Sequence, residues 1–223
     1  MKYKIILWDF DGTLADTAMD VWASLDYAAQ QCGGELPDSF KSRSNLSLPM
    51  SELYSMVTPF PGDEKSKIFE KLVQVHYRTK NRFDQTVLYP GIKELLRSLQ
   101  KNGVANYIVT MKPEQALKSI LMDKGWHSYF EGSLSPDSYY ESLQREMTKA
   151  EMIATVIVQT DFDKKDYVYI GDTWSDVEAS RKNQIDCIGV TYGDGNEDML
   201  RSKKPKYCAR SVDEIACILN ERE

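Results

Sequence analysis

Short apolar runs along the chain alternate with longer stretches of helical periodicity. The apolar run at residues 3–8 predicts a buried first strand, which ends in the polar turn Asp-Phe-Asp-Gly-Thr. The later runs predict strands over residues 104–109, 167–170 and 186–190, and the periodic stretches predict helices over residues 91–101, 113–124, 149–158, 173–183 and 212–219. Strands separated by helices of this length pair in parallel through right-handed crossovers. The pattern therefore predicts an α/β fold built on a doubly wound parallel sheet.

Residues 15–86 contain no comparable strand. Their periodicity predicts helices over residues 18–32, 50–57 and 63–80, the first of which stops at Gly33-Gly34. We therefore expect two parts in the chain. Residues 1–14 and 87–223 form an α/β catalytic core, and residues 15–86 form an all-helical cap inserted after the first strand, as a candidate lid.

Charge and composition narrow the range of partners. The 223 residues include 28 Lys and Arg against 34 Asp and Glu, which disfavours binding to nucleic acid. The apolar runs are far shorter than the ~20 residues that span a bilayer, so no membrane association is expected. Four scattered cysteines without a Cys-x-x-Cys pair indicate reduced thiols. We expect a cytoplasmic protein, a monomer or weak homodimer, that acts on a small molecule.

Polar side chains follow three of the predicted strands at their carboxyl ends, where open α/β sheets bind ligands. Asp9 and Asp11 follow the first strand, Thr110 follows the second, and Asp172 follows the third. Two carboxylates this close repel each other unless a cation lies between them or one is protonated. The hydroxyl of Thr13, in the same turn as the two aspartates, can donate to an anion. These positions predict a functional site at this edge of the sheet.

Acidic residues in turns are also typical of calcium loops and of helix N-termini. An EF-hand that starts at Asp9 would need Gly at its sixth position and Glu at its twelfth, where the chain has Leu14 and Asp20, so a calcium loop is excluded. Taken alone, helix capping accounts equally well for Asp172 and Asp176, because acidic residues are favoured at helix N-termini. Beside Asp9 and Asp11, a site for a hard cation is better supported. If the site binds a metal, its oxygen-only ligands favour Mg²⁺ over Zn²⁺.

Lys149 opens a predicted helix, where the helix dipole disfavours a cation, and this position favours a functional role. Lys112 and Lys118 are alternatives for that role. Asp161 and Asp163 form a second Asp-x-Asp, but they precede a strand instead of following one. We predict that this second pair lies in a solvated loop.

Together these motifs resemble the haloacid dehalogenase-type phosphohydrolase superfamily, and more narrowly its phosphoglycolate phosphatase-like branch with a helical cap. The resemblance extends over essentially the whole chain, and it implies a Rossmann-like core and phosphatase activity. The residues that carry it are Asp9-Phe10-Asp11-Gly12-Thr13-Leu14 with Asp16-Thr17, then Thr110, Lys149, and Gly171-Asp172-Thr173 with Asp176.

The resemblance implies a role for each motif residue. Asp9 would attack phosphorus and form an aspartyl-phosphate, while Asp11 would protonate the leaving oxygen and then activate water. The resemblance implies that Mg²⁺ is held by Asp9, the backbone carbonyl of Asp11 and Asp172, with Asp176 and Thr13 in support. It also implies that Thr110 and Lys149 bind the phosphoryl oxygens.

Two positions depart from the pattern of the branch. Met111 follows Thr110 where Asn is frequent, and Ala150 follows Lys149 where Pro is frequent.

The expected function is Mg²⁺-dependent hydrolysis of a small phosphorylated metabolite, phosphoglycolate-like or a sugar phosphate, since the presence of Asp11 favours ester hydrolysis over dehalogenation. A sugar-phosphate mutase is the alternative. A non-catalytic phosphate-binding or phospho-aspartate module is a third possibility, although it would need no helical insertion.

Overall fold

The computed structural model describes residues 1–48, 50–58 and 63–221. The chain divides into two compact units, one formed by Met1–Asp16 with Val87–Glu223 and the other by Thr17–Thr86. Among the helices of the described residues, none has the length and apolar character that a bilayer crossing requires.

Short strands and helices follow one another along the described residues. In chain order, the strands are β1 (Ile5–Trp8), β2 (Ala15–Asp16), β3 (Val87–Leu88), β4 (Ala105–Val109), β5 (Gly132–Leu134), β6 (Tyr167–Gly171), β7 (Asp186–Val190) and β8 (Tyr207–Ala209). The α-helices are α1 (Ala18–Gln31), α2 (Met50–Val57), α3 (Asp63–Thr79), α4 (Ile92–Lys101), α5 (Glu114–Asp123), α6 (Tyr140–Leu143), α7 (Lys149–Thr160), α8 (Trp174–Asn183), α9 (Glu197–Ser202) and α10 (Val212–Asn220). Short 3-10 helices cover Asp38–Phe40, Arg43–Ser47, His127–Tyr129 and Lys164–Asp166.

The first unit is built on a six-stranded sheet with the order β5-β4-β1-β6-β7-β8. Every neighbouring pair in it is parallel. β1 lies inside the sheet, where Ile5 pairs with Ala105 on one side and with Tyr167 on the other. The prediction of a doubly wound parallel sheet is thus confirmed. β2 and β3 form a separate antiparallel ribbon.

Burial on both faces explains the composition of the inner strands. All four residues of β1 and all five of β6 are buried, as is typical of parallel strands covered by helices. On one face, Ile5 and Leu7 share a core cluster with Met152, Ile153 and Val156 of α7. This packing fixes α7 beside the strands that lead to the candidate site.

The second unit is all-helical within the described residues. Leu25 of α1, Tyr54 of α2 and Phe69 of α3 belong to one buried cluster. The Thr86 hydroxyl donates to Asp20 Oδ2 at 2.7 Å, which ties the end of this unit to its first helix. The unit begins at Thr17, since the two residues before it belong to the β2–β3 ribbon. The role of this unit as a lid stays a prediction.

Candidate active site

The carboxyl ends of β1, β4 and β6 bring three of the predicted site residues to one edge of the sheet. Asp9 follows β1, and its backbone N–H donates to the carbonyl of Ile170 in β6 at 2.9 Å. Thr110 follows β4 and Asp172 follows β6. All three side chains are buried. The adjacency of the strands therefore brings polar side chains from distant parts of the sequence into one buried cluster.

Asp9 is held by groups that suit a carboxylate. Its Oδ1 accepts the Phe10 backbone N–H at 2.8 Å, and its Oδ2 accepts Lys149 Nζ at 2.9 Å. Burial raises the pKa of Asp9 to about 6, even though Lys149 and Thr110 favour its ionised form.

Lys149 is the first residue of α7, and a capping box fixes this start. Thr148 Oγ1 accepts the Glu151 backbone N–H at 3.3 Å, while Glu151 Oε2 accepts the Thr148 backbone N–H at 2.8 Å. Lys149 Nζ donates to both Asp9 and Asp176. Burial alone would lower the pKa of Lys149, but the two carboxylates raise it above its ordinary value. The side chain is therefore a buried ammonium group.

Asp172 is oriented by the backbone that follows β7. Its Oδ2 accepts the N–H groups of Asp194 and Gly195 at 2.8 and 2.9 Å. Its Oδ1 accepts the Thr13 hydroxyl at 3.4 Å. Burial raises the pKa of Asp172 well above its ordinary value, and the neighbouring carboxylates Asp9 and Asp176 raise it further. The Gly195 N–H and the charge of Lys149 lower the pKa of Asp172, but they offset these effects only in part.

Close backbone approach around Asp172 requires glycine. A Cβ added at Gly12 would overlap Asp172 Oδ2, and the φ of +73° at Gly12 favours glycine as well. A Cβ at Gly193 would overlap the Gly12 carbonyl, and one at Gly195 would overlap the Asp172 carbonyl. The loop after β7 was not predicted to take part in the site. Its Gly-Asp-Gly sequence is the signal that could have indicated this close approach.

Asp176 both caps α8 and belongs to the acidic cluster. Its Oδ2 accepts the Thr173 backbone N–H at 2.8 Å and the Thr173 hydroxyl at 2.6 Å, which forms a capping box. Its Oδ1 contacts Lys149. Helix capping and membership of the site, which the sequence analysis weighed as alternatives, therefore both apply to this residue.

Asp9, Asp172 and Asp176 form a group that could hold a metal ion. One ligand oxygen from each lies within 4.8 Å of the others, and all three residues are buried. Carboxylate oxygens are ligands for hard cations. The Asp11 side chain is not part of this group within the described ranges. The role of the Asp11 backbone carbonyl in metal binding stays a prediction.

The other lysines and the second acidic pair are also placed by the structure. Asp11 Oδ1 accepts Lys112 Nζ at 2.8 Å, whereas Lys118 pairs with Glu114 on the exposed side of α5. The second Asp-x-Asp, at Asp161, is exposed, which confirms its prediction as a solvated loop. Lys112 therefore contacts the predicted site, although the sequence offered it only as an alternative to Lys149.

A sequence profile described as haloacid dehalogenase-like hydrolase matches residues 6–190. A 5'-nucleotidase from Pseudomonas aeruginosa is 30% identical over 94% of this chain and 92% of its own length. The chain belongs to the haloacid dehalogenase-like hydrolase family. This confirms the superfamily that the motifs indicated.

Further relatives support the same family. A phosphoglycolate phosphatase from Vibrio vulnificus is 23% identical, and the match covers 96% of this chain and 95% of that protein. A structure from Clostridium difficile aligns with a TM-score of 0.85 and 26% identity, covering 98% of this chain and 99% of that one. The predictions of the phosphoglycolate phosphatase-like branch and of a phosphoric monoester hydrolase are confirmed by relatives named phosphoglycolate phosphatase and 5'-nucleotidase.

Proposed function

We propose that the chain is a Mg²⁺-dependent phosphatase that hydrolyses a small phosphorylated metabolite through an aspartyl-phosphate at Asp9. The observation that carries this proposal is the setting of the Asp9 carboxylate. It is buried at the edge of the sheet, it accepts a hydrogen bond from Lys149, and it lies within one group with Asp172 and Asp176.

In the first step, an Asp9 carboxylate oxygen forms a bond to phosphorus as the bond from phosphorus to the ester oxygen breaks. The leaving oxygen takes the proton of Asp11 and departs as an alcohol. The Lys149 ammonium contacts the Asp9 carboxylate, and the buried Thr110 side chain lies at the same edge of the sheet. Both would bind the phosphoryl oxygens. Positioning and charge neutralisation are the main sources of catalysis for phosphoryl transfer.

In the second step, a water molecule attacks the phosphorus of the aspartyl-phosphate. Asp11, now ionised, accepts a proton from that water, and the bond between phosphorus and Asp9 breaks. Inorganic phosphate leaves, and both aspartates return to their starting states. One carboxyl group thus acts as acid and then as base, which explains why two aspartates are needed.

The three buried carboxylates fit the divalent cation that this family implies. Burial and mutual repulsion raise the pKa of Asp172, and a cation beside it would offset both effects. Asp9, Asp172 and Asp176 supply oxygen donors of the kind Mg²⁺ prefers. When bound, Mg²⁺ would supply charge neutralisation for the substrate and the attacking carboxylate.

The relatives define the substrates to test first. A 5'-nucleotidase and phosphoglycolate phosphatases are among the proteins that the chain resembles. The panel therefore contains phosphoglycolate, nucleoside 5'-monophosphates and sugar phosphates. Phosphate release is measured with Mg²⁺ and with EDTA.

We expect release that depends on Mg²⁺ and that Asp9→Asn abolishes. A matched control is Asp161→Asn, in the exposed second Asp-x-Asp, which should leave turnover unchanged. A substrate labelled in its phosphoryl group should leave label on acid-quenched wild-type protein, and none on the Asp9→Asn variant. Absence of phosphate release from every ester would contradict the proposal, and a rearranged organic phosphate would identify the mutase instead.

A further inference from the structure

A second buried lysine lies beside the candidate site. The Lys112 side chain has 0% exposure, and its Nζ lies 2.8 Å from Asp11 Oδ1. An ammonium group loses its hydration when it is buried, and this loss is unfavourable unless a charged or polar partner replaces the water. The Asp11 side chain keeps 35% exposure. The pair thus joins a fully enclosed cation to a carboxyl group that solvent can still reach.

The turn after β4 directs Lys112 to this position. Thr110 Oγ1 accepts the Lys112 backbone N–H at 3.2 Å, which closes the turn directly after the strand. Lys112 Nζ also lies 5.4 Å from the centre of the Phe10 ring, a distance suited to a cation–π contact. Phe10 separates the two aspartates in sequence. Lys112 is therefore fixed against the turn that carries Asp9 and Asp11.

Each of the two aspartates contacts its own buried lysine. Lys149 contacts Asp9 and Asp176, while Lys112 contacts Asp11. Asp9 is additionally held by a backbone N–H, whereas Asp11 lies in a turn and is more exposed. The Lys112 hydrogen bond to Oδ1 restricts rotation of the Asp11 carboxyl group whether or not Asp11 carries a proton, and proton transfer requires that group within hydrogen-bond reach of the leaving oxygen.

We propose that Lys112 is a positioning residue that orients the Asp11 carboxyl group toward the leaving oxygen of the substrate. This inference rests on the proposed phosphatase function. It predicts that loss of Lys112 impairs proton delivery to the leaving group more than it impairs phosphate binding. The chemistry of the leaving group can separate these two effects.

The experiment compares two esters by kcat/KM, which reports the steps up to the aspartyl-phosphate. An alkyl phosphate needs a proton on its leaving oxygen, whereas p-nitrophenyl phosphate leaves as a stable phenolate. For Lys112→Met we expect a loss of about 10- to 100-fold on the alkyl ester and a loss of less than about 3-fold on the aryl ester. The expected loss on the alkyl ester is at or below the lower end of the roughly 10²- to 10⁴-fold that general acid–base catalysis contributes, because the acid itself remains in the variant. KM for the alkyl ester should change less than kcat.

Further variants separate positioning from damage to the fold. Lys112→Arg keeps the charge and should recover part of the loss, while Lys118→Met, at an exposed lysine of α5, should match the wild type. Asp11→Asn should show the same preference for the aryl ester. Because both substitutions act on one function, Asp11→Asn combined with Lys112→Met should lose little more than Asp11→Asn alone.

Each result bears on the inference. Equal losses on the two esters, no loss on either, or additive losses in the double variant would overturn the role of Lys112 and leave the phosphatase function intact. If the wild type releases phosphate from neither of these esters and from no ester of the panel, the proposed function fails, and this inference fails with it.

Discussion

The Asp9 carboxyl group lies where folding opposes the ionisation that the proposed nucleophile needs. Its pKa rises from an ordinary 3.8 to about 6, chiefly because the group is buried. The folded state therefore keeps a proton on Asp9 across a range of pH in which the unfolded chain loses it. Linkage requires that the free energy of unfolding fall as pH rises through this range.

Asp9→Asn should remove this loss of stability in the metal-free protein. In EDTA, we expect the variant to gain stability relative to the wild type as pH rises from about 4 to 7, by at most about 3 kcal/mol for a shift of this size. Urea unfolding across this range measures the difference. Asp161→Asn serves as the control. Parallel stability profiles for Asp9→Asn and the wild type would contradict the expected cost of ionisation.

At the residue scale, the sequence predicted where the site residues lie along the chain better than it predicted which side chains they contact. Asp9 and Asp172 could be recognised because each directly follows an apolar strand, so parallel pairing brings them to one edge of the sheet. Lys112 could not be distinguished from Lys118 because both lie in or near one predicted helix. Burial of the Lys112 ammonium depends on the turn at Thr110 and on the distant Asp11, and neither contact leaves a periodic signal.

At the scale of elements, α7 shows how a helix start places a functional side chain. The capping box of Thr148 and Glu151 defines the first turn, so Lys149 extends from a fixed position. Hydrogen bonds from Arg145 and from Thr148 lower the pKa of Glu151 to about 2. The Glu151 carboxylate therefore remains ionised, and the cap remains intact, at ordinary pH.

Thr148→Ala should weaken this helix start. Loss of an N-cap costs about 1 kcal/mol, which corresponds to a fall of roughly 2–4 °C in the melting temperature of a protein of this size. Thr155→Ala is the matched control, because its hydroxyl bonds only along the same helix, to the Glu151 carbonyl at 2.9 Å. Differential scanning calorimetry compares the two variants. Equal shifts would show that the cap adds nothing beyond helix propensity.

Helices and strands were predicted correctly where the segment is long enough to show a periodic pattern of apolar residues. The helix over residues 50–57 and the strand over residues 186–190 were predicted with their observed bounds. β5 and β8 were missed because three residues are too few for a period of two, and both are edge strands that carry half-buried residues. The ribbon of β2 and β3 has only two residues per strand, so its pairing depends on tertiary contacts.

At the scale of the whole molecule, metal binding should be coupled to folding. The three carboxylates of the acidic group come from the turns and helix that follow β1 and β6, so an unfolded chain cannot present them together. A ligand that binds only the folded state stabilises it by about 2.7 kcal/mol when present at 100 times its dissociation constant. Mg²⁺ should therefore raise the melting temperature.

Titration with MgCl₂, followed by thermal unfolding, tests this coupling. We expect a rise that EDTA reverses and that Asp172→Asn abolishes, whereas Asp161→Asn should respond like the wild type. The response should increase with Mg²⁺ concentration until the site saturates. If the melting temperature of the wild type does not change with Mg²⁺ concentration, a Mg²⁺ site of useful affinity in the folded chain is excluded.

The position of β1 inside the sheet also has a consequence for synthesis. The ribosome makes β1 early, but its partners at Ala105 and Tyr167 are made much later. Until then the apolar Ile-Ile-Leu-Trp strand has both edges unpaired, a state that promotes aggregation. Nascent chains should therefore depend on chaperones until β6 leaves the ribosome, and truncated products that lack β6 should accumulate as inclusion bodies.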